Sequence, residues 1–507
     1  MRFSELLADL SLRGLSSRRL TPPELDPELT GITQDSREVP SGSLFVAISG
    51  MRVDAHDFIG QVGEAGAAAV FLERDVQVPE GVAAATFKDG RLALAYAAAS
   101  LQGHPTEEMT VVGITGTDGK STTCVLTTEA LLACGAAAGG MNSLDFRVLD
   151  RVEQNDSYMT TLESPVIQSK MRELVDAGVR VAVLETTSHG IALHRVDAIA
   201  FDVAAYTNLT HEHLDFHGTI EAYRDTKLQL AELARQSPRK AGVPKAIVYN
   251  ADEPAWATLA AAPTDRRVTY ALNRPADIVG VEVEARIEGI SFVARTRDGE
   301  VPVKLPLTGR FNVYNALCAL GVCRALGLPL ERAAEGLARA RGLRGRMEVL
   351  DAGQPFAIVI DFAHTPDGLE KVLTELRPLT RGRLLTVFGA PGDRDALKRP
   401  LMGEAVGNHS DEFFITTDDP RQENPEAISA QIAEGAERVG RRQGTDYQVV
   451  IDRRAAIREA LGRARAGDTV LLAGKGHEDR MLIGGEVLPW DEAAEARRAL
   501  SELGVPG

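Results

Sequence analysis

Residues 110–135 read TVVGITGTDGKSTTCVLTTEALLACG: a β-branched apolar run, a turn with glycines at 113, 116 and 119, then Lys120 and Ser121 opening an apolar helical pattern. Strand, glycine-rich turn and helix in that order form the local plan of a phosphate cradle. Gly116 and Gly119 free backbone amides to wrap anionic oxygens at a helix N-terminus, Lys120 adds a point charge, and the Ser121 hydroxyl suits a Mg²⁺ ion. The strict G-x-x-x-x-G-K-[ST] pattern fails at one position, where residue 114 is Ile. A plain β-turn-α connection is the bland alternative. Gly-Lys-Ser at such a junction is uncommon by accident, so Gly116, Thr117, Asp118, Gly119, Lys120, Ser121 and Thr122 are expected to hold phosphates.

The same alternation continues outward. GAAAVFL, VRVAVLE, FDVAAYTN, KAIVYN, FAIVIDFAH, RLLTVFGA, DEFFITT and DTVLLAGKG are short apolar runs, separated by helical patterns such as TIEAYRDTKLQLAELA. Mostly parallel α/β sheets follow, with functional loops at the carboxyl ends of their strands. A chain of 507 residues holds about three domains. The polar stretch QGHPTEE and the Arg/Gly-rich ARARGLRGRME mark their edges, giving expected domains 1–106 (small α/β), 107–341 (central P-loop, parallel sheet) and 342–507 (Rossmann-like α/β).

Apolar residues make up 44% and charged residues 25% of the chain, which excludes a fibrous or largely disordered protein. The net charge is 56 − 72 = −16, which argues against nucleic acid or an anionic membrane as a general partner. Cys124, Cys134, Cys318 and Cys323 form no CxxC pair and sit in helical-looking stretches, as expected in a reducing compartment. Glu5 and Asp9 interrupt any signal-peptide core, and no uncharged run reaches the ~18 residues of a membrane span, so a cytoplasmic protein is expected. With 10 Lys against 46 Arg, a lysine at a mechanistic position carries information.

Three candidate positions follow the loop. Glu185 ends the run VRVAVLE, where a carboxylate can complete the shell of a hard cation begun by Ser121, or can cap the next helix. His213, in EHLDFH, reads by itself as a core histidine or a helix cap. Lys227, on an amphipathic pattern, reads by itself as solvated.

The longer motifs change those readings. VLETTSHGIALHRV (183–196), TNLTHEHLDFHG (207–218) with Lys227 downstream, LTGRFNVYNALCAL (307–320), RGRMEV (344–349) and IDFAHTPDGLE (360–370) resemble, in order, the motifs of the Mur ligases, the ATP-dependent amide-forming enzymes of bacterial cell-wall precursor synthesis. The likeness runs from about residue 31 to residue 490. It implies ATP as co-substrate and two Mg²⁺ ions, held by Ser121, Glu185, His213 and a carbamylated Lys227. Only a neutral amine reacts with CO₂, so the Lys227 pKa must be depressed. The likeness further implies Asn312 and Asn315 at the adenine, Arg346 at the phosphates and Asp361 at the ribose. Ser36, Thr160, Thr161, Ser188 and Arg195 would hold a UDP-linked substrate, which makes the first domain a UDP-binding one. Lys120, Glu185, His213, Lys227 and Arg346 would form the catalytic set of a monomeric enzyme that closes over small-molecule substrates. A folylpolyglutamate-type ligase and a non-catalytic P-loop regulator are the alternatives.

GITQDSREVPSGSLFVAISG (31–50), TTDDPRQENPEAI (416–428) and LLAGKGHEDRMLIG (471–484) resemble one branch of that family, which adds the third, diamino residue to UDP-N-acetylmuramoyl-L-alanyl-D-glutamate. Departures include Asp118 in place of Asn, Glu212 in place of Asp, and APGDRD around Arg394. Members that take meso-diaminopimelate typically read Asp-Asn-Pro-Arg where this chain has Asp418-Asp419-Pro420-Arg421. An ionised Asp419 would repel a distal carboxylate and attract a lone ammonium, so L-ornithine or L-lysine is expected, with meso-diaminopimelate as the alternative. Arg421 would then pair with Asp419, Glu478 and the Gly474 carbonyl would take the ammonium, and Arg394 the α-carboxylate.

Overall fold

The computed structural model describes residues 1–50, 53–155, 157, 159–210 and 212–505, apart from the side chain of Asp215. The chain divides into two compact units, Met1–Val279 with Asn315–Gly336, and Gly280–Tyr314 with Leu337–Gly507.

The first unit holds two sheets. The smaller has the strand order Ser17–Arg19, Ala83–Phe87, Ala69–Leu72, Leu44–Val46, Ile32–Thr33, parallel except for the first pair. In the larger sheet Thr110–Thr115 lies between Val181–Glu185 and Val203–Tyr206, both parallel to it. Ala138–Met141 continues one side, and Ala246–Asn250 and Arg266–Ala271 the other. The chain therefore changes side of the sheet at Thr110–Thr115, and the crevice outside its carboxyl end is where such sheets bind ligands. The loop at residues 116–119 begins there.

Buried parallel strands read as unbroken apolar runs because both faces are covered. The second unit shows it directly: Leu384 and Phe388 face one core, while Leu385 and Val387 of the same strand face another. Its sheet has the order Glu348–Leu350, Ala357–Asp361, Thr469–Ala473, Leu384–Phe388, Glu412–Ile415, Tyr447–Val449, antiparallel only at the first pair. The carboxyl ends of its parallel strands deliver the segments 361–364, 474–478, 390–394 and 418–421. The fold class is as expected, α/β with parallel sheets. An antiparallel element was not expected: Gly289–Thr296 and Gly299–Leu305 pair as a hairpin, with alternating burial in place of an apolar run.

Candidate active site

Thr110–Thr115 ends in a loop that a second segment fixes from below. Thr117 N donates to Asn208 O at 2.8 Å, Asp118 N to Asn208 Oδ1 at 2.9 Å, and the Thr207 hydroxyl to Asp118 O at 2.8 Å. Two glycines are obligatory here. Gly116 has φ +148°, and a Cβ on it would stand 1.8 Å from Thr207 Oγ1. Gly119 has φ +79°, and a Cβ on it would stand 2.3 Å from Asn315 Oδ1. Helix Lys120–Ala133 starts directly after Gly119, with no side chain capping its first amides, which leaves them to an anion. Lys120 Nζ rests on Thr117 O at 2.6 Å.

Ser121 and Glu185 meet through Ser143, a residue the sequence did not single out. The Ser121 and Ser143 hydroxyls are 2.8 Å apart, and Ser143 N donates to Glu185 Oε2 at 2.9 Å. Glu185 is buried. The helix-cap reading of Glu185 fails, because Thr187 caps the helix Ser188–Ala192 by accepting from Gly190 N at 3.0 Å. The carboxylate and the two hydroxyls are hard oxygen donors, the set a Mg²⁺ ion takes.

Helix Ile220–Gln236, capped by Thr219, buries Tyr223, Lys227, Leu230 and Ala234. Their spacings of four, three and four put Lys227 on the apolar stripe, so the solvated reading of the bare pattern does not hold. Lys227 is 1% exposed, its Nζ donates to Gly116 O at 2.6 Å, and it stands 4.4 Å from the centre of the Tyr223 ring. Burial pulls its pKa well below the ordinary lysine value and the Lys120 charge adds to this, against partial opposition from Glu212, Glu185 and Asp118. The Tyr223 hydroxyl lies 3.3 Å from Thr117 Oγ1 and 3.5 Å from Glu212 Oε2. His213 is neither a core residue nor a side-chain cap. It is exposed, has φ 55°, and its ring lies 4.7 Å from that of His189.

Of the residues expected at a UDP-linked substrate, three gather beside Glu185. Thr161 Oγ1 donates to Glu185 O at 3.2 Å, Arg195 Nη1 donates to Thr161 O at 3.1 Å, and Ser188 Oγ lies 3.0 Å from His217 Nε2. Arg195 Nε is buried without a hydrogen-bond partner. Thr160 adjoins them in the chain and is half-buried, as is Ser36 in the smaller sheet's region. Asn315 Oδ1 accepts from Thr123 Oγ1 at 3.2 Å within the same unit.

The second unit carries the rest. Asn312 Nδ2 donates to Thr308 O at 2.7 Å. Asp361 is buried and accepts from Met347 N and Ala363 N, both at 2.8 Å, and burial raises its pKa. Those bonds fix the turn that carries Arg346, whose guanidinium lies 5.0 Å from the Phe362 ring centre. The His477 ring lies 4.7 Å from the same ring, and burial with the nearby Arg346 and Arg344 charges pushes its pKa down to about 4.

Below them, Lys475 Nζ is fully buried, 2.8 Å from Asp419 Oδ1, 2.6 Å from Glu478 Oε2 and 3.9 Å from Asp418 Oδ1. Asp419 Oδ1 also accepts from Leu482 N at 3.0 Å. The expected Asp419–Arg421 pair is replaced by Asp419–Lys475, because the lysine sits at the centre of three carboxylates and is the nearer cation. Arg421 Nε is buried without a hydrogen-bond partner, and Arg394 is exposed. Gly474 N donates to Asp361 O at 3.1 Å, so Asp361 and the 474–478 loop share one scaffold.

Three family models match this chain: Mur ligase family, catalytic domain, over residues 28–109; Mur ligase middle domain, over 114–323; and Mur ligase, glutamate ligase domain, over 345–476. A UDP-N-acetylmuramyl-tripeptide synthetase of Roseiflexus sp. (strain RS-1) is 47% identical over 96% of this chain and 97% of its own. The chain belongs to the Mur ligase family.

A second relative of this Mur ligase, a UDP-N-acetylmuramoyl-L-alanyl-D-glutamate--2,6-diaminopimelate ligase of Bacillus licheniformis, is 40% identical over 94% of this chain and 96% of its own. The solved structure of a ligase of that same name superposes with a TM-score of 0.68 at 30% identity, covering 94% of this chain and 95% of its own. The protein is thus an ATP-dependent acid–amino-acid ligase of the three-domain Mur fold. Among the described residues, no helix of this Mur ligase is long and apolar enough to cross a membrane.

Proposed function

We propose that this ligase is of the MurE type and joins meso-2,6-diaminopimelate to the D-glutamyl γ-carboxylate of UDP-N-acetylmuramoyl-L-alanyl-D-glutamate. One observation carries the choice of amino acid. Asp419 is engaged by Lys475, so its charge does not oppose a distal carboxylate, while Arg421 keeps a buried Nε with no partner and is suited to receive one. The names of the Bacillus relative and of the superposed structure support the same substrate. Ornithine or lysine is the second reading, favoured by the three carboxylates Asp418, Asp419 and Glu478 around the single Lys475 charge.

In the reaction the γ-carboxylate attacks the γ-phosphorus of ATP, ADP departs, and the amine displaces phosphate from the acyl phosphate with loss of its proton. The amides of residues 116–122 and Lys120 hold the phosphates. Arg346 offsets charge on the transferring group, Asp361 takes the ribose, and Asn312 and Asn315 take the adenine. Ser36, Thr160, Thr161, Ser188 and Arg195 hold the UDP-linked acceptor, while Arg394, Arg421, Gly474 and Glu478 receive the amino acid. Ser121 and Glu185 would hold one Mg²⁺, with His213 and Lys227 at a second, supplying charge neutralisation of the phosphates. Lys227 suits the carbamate this requires, being buried and poor at holding a proton.

The test is phosphate release with purified protein, MgATP, the UDP-linked dipeptide, and meso-diaminopimelate, L-ornithine or L-lysine in turn. Highest kcat/KM with meso-diaminopimelate is expected. Preference for ornithine or lysine would show that the carboxylates dominate the pocket. Turnover with a pteroylglutamate acceptor would overturn the acceptor assignment.

A further inference from the structure

Arg453 and Glu492 form a fully enclosed ion pair in the second unit, with side chains 1% and 0% exposed. Arg453 Nη2 lies 2.6 Å from Glu492 Oε1, and Nε lies 3.1 Å from both carboxylate oxygens. Trp490 Nε1 donates to Glu492 Oε2 at 2.6 Å, which fixes the carboxylate from the other side. Each residue is the first of a helix, Arg453–Arg463 and Glu492–Glu502. A cation at a helix N-terminus faces the positive end of the helix dipole, so Arg453 is a poor choice for its helix. A buried ion pair is also a weak stability device, since apolar residues of similar volume commonly serve as well.

The arginine does something an apolar side chain cannot. Its Nη2 donates to Ala473 O at 2.8 Å and its Nη1 to Thr417 O at 3.4 Å. Ala473 and Thr417 immediately precede Gly474 and Asp418, the first residues of the two segments that build the pocket around Lys475. One guanidinium fork thus ties together the bases of both segments. Its charge also reaches Asp418 and Glu478, whose fields favour the cation.

We propose that Arg453, held by Glu492 and Trp490, is a positioning residue for the incoming amino acid, setting the spacing of the Asp418–Arg421 and Gly474–Glu478 segments. This rests on the amino-acid pocket assigned above. The expected signature is selective: the KM for the amino acid rises, that for the UDP-linked acceptor does not, and that for ATP, whose Asp361 is tied to Gly474, moves far less.

The test uses the full-length enzyme and two variants. Arg453→Met/Glu492→Gln removes both charges together, avoiding a lone buried ion and keeping an acceptor for Trp490. Arg453→Lys keeps the charge but cannot span both carbonyls. In the double variant the amino-acid KM is expected to rise about tenfold or more, with the other two KM values within about twofold. Arg453→Lys should recover part of that loss. An unchanged amino-acid KM, or equal changes in all three, overturns the proposal, as does loss of folding in both variants, which would assign the pair to stability alone. Absence of amino-acid-dependent phosphate release from the wild-type enzyme would instead bring down the pocket assignment, and this proposal with it.

Discussion

Lys227 and Lys475 are both buried, and their surroundings drive them in opposite directions. Lys227, in the first unit, meets a backbone carbonyl, an aromatic face and the charge of Lys120, and its proton is held weakly. Lys475, in the second, meets Asp418, Glu478 and Asp419, and those carboxylates outweigh the cost of burial, so its pKa rises. Burial alone therefore does not decide what a lysine does. A buried lysine bonded to a carbonyl, with no carboxylate in contact, gives up its proton easily, whereas one inside a carboxylate cluster is a fixed cation.

The contrast breaks most readily at Lys475. Lys475→Met leaves Asp418, Asp419 and Glu478 facing one another without a cation, and should cost about 3–5 kcal/mol in denaturant unfolding. A loss too small to resolve would mean that the cluster takes up protons or water instead. Next comes Lys227→Ala, which should lower kcat by about 10²–10³-fold without unfolding the enzyme, with partial recovery in added short-chain carboxylates. Wild-type turnover in that variant would remove the carbamate from the reading.

Smaller effects sharpen the picture around the loop. Gly119→Ala forces an L-residue into φ +79° and sets a methyl against Asn315, so a stability loss of about 1–3 kcal/mol and weaker nucleotide binding should appear together in thermal shifts with and without ADP. Glu185→Gln keeps the size and removes the charge, and should raise the Mg²⁺ concentration for half-maximal activity by about tenfold or more. An unchanged Mg²⁺ titration would leave Glu185 as an acceptor for Ser143 N alone.

The finest test compares the two lysines by pH in CO₂-free buffer. Below the ordinary lysine value of 10.5 and above its own lowered value, Lys227 binds a proton only in the unfolded chain, so stability rises with pH across that window. Lys227→Met should flatten that rise. Lys475 behaves in reverse: its contribution is complete below 10.5 and disappears as pH climbs through its raised folded value. The destabilisation in Lys475→Met should therefore shrink only at the alkaline end. Parallel curves for both variants would show that the two environments are equivalent.

The local plan was legible in the chain itself. Strands buried on both faces must be continuous apolar runs, and a phosphate loop must spend its glycines where backbone crowds backbone, so the parallel α/β class and residues 116–122 could be read directly. The position of Lys227 was legible too, had the spacing Tyr223, Lys227, Leu230, Ala234 been weighed as a helical face, because a lysine on an apolar stripe is buried. The hairpin 289–305 was missed because its strands alternate, which a search for apolar runs passes over. What no local pattern reveals is who meets whom across the fold. Ser143 joins Ser121 to Glu185, Thr187 rather than Glu185 caps the following helix, and Asp419 pairs with Lys475 rather than Arg421. Each is a contest among several eligible partners for one hydrogen bond or one charge. Distances of a few ångströms decide such contests, and they exist only once the strands have been laid side by side.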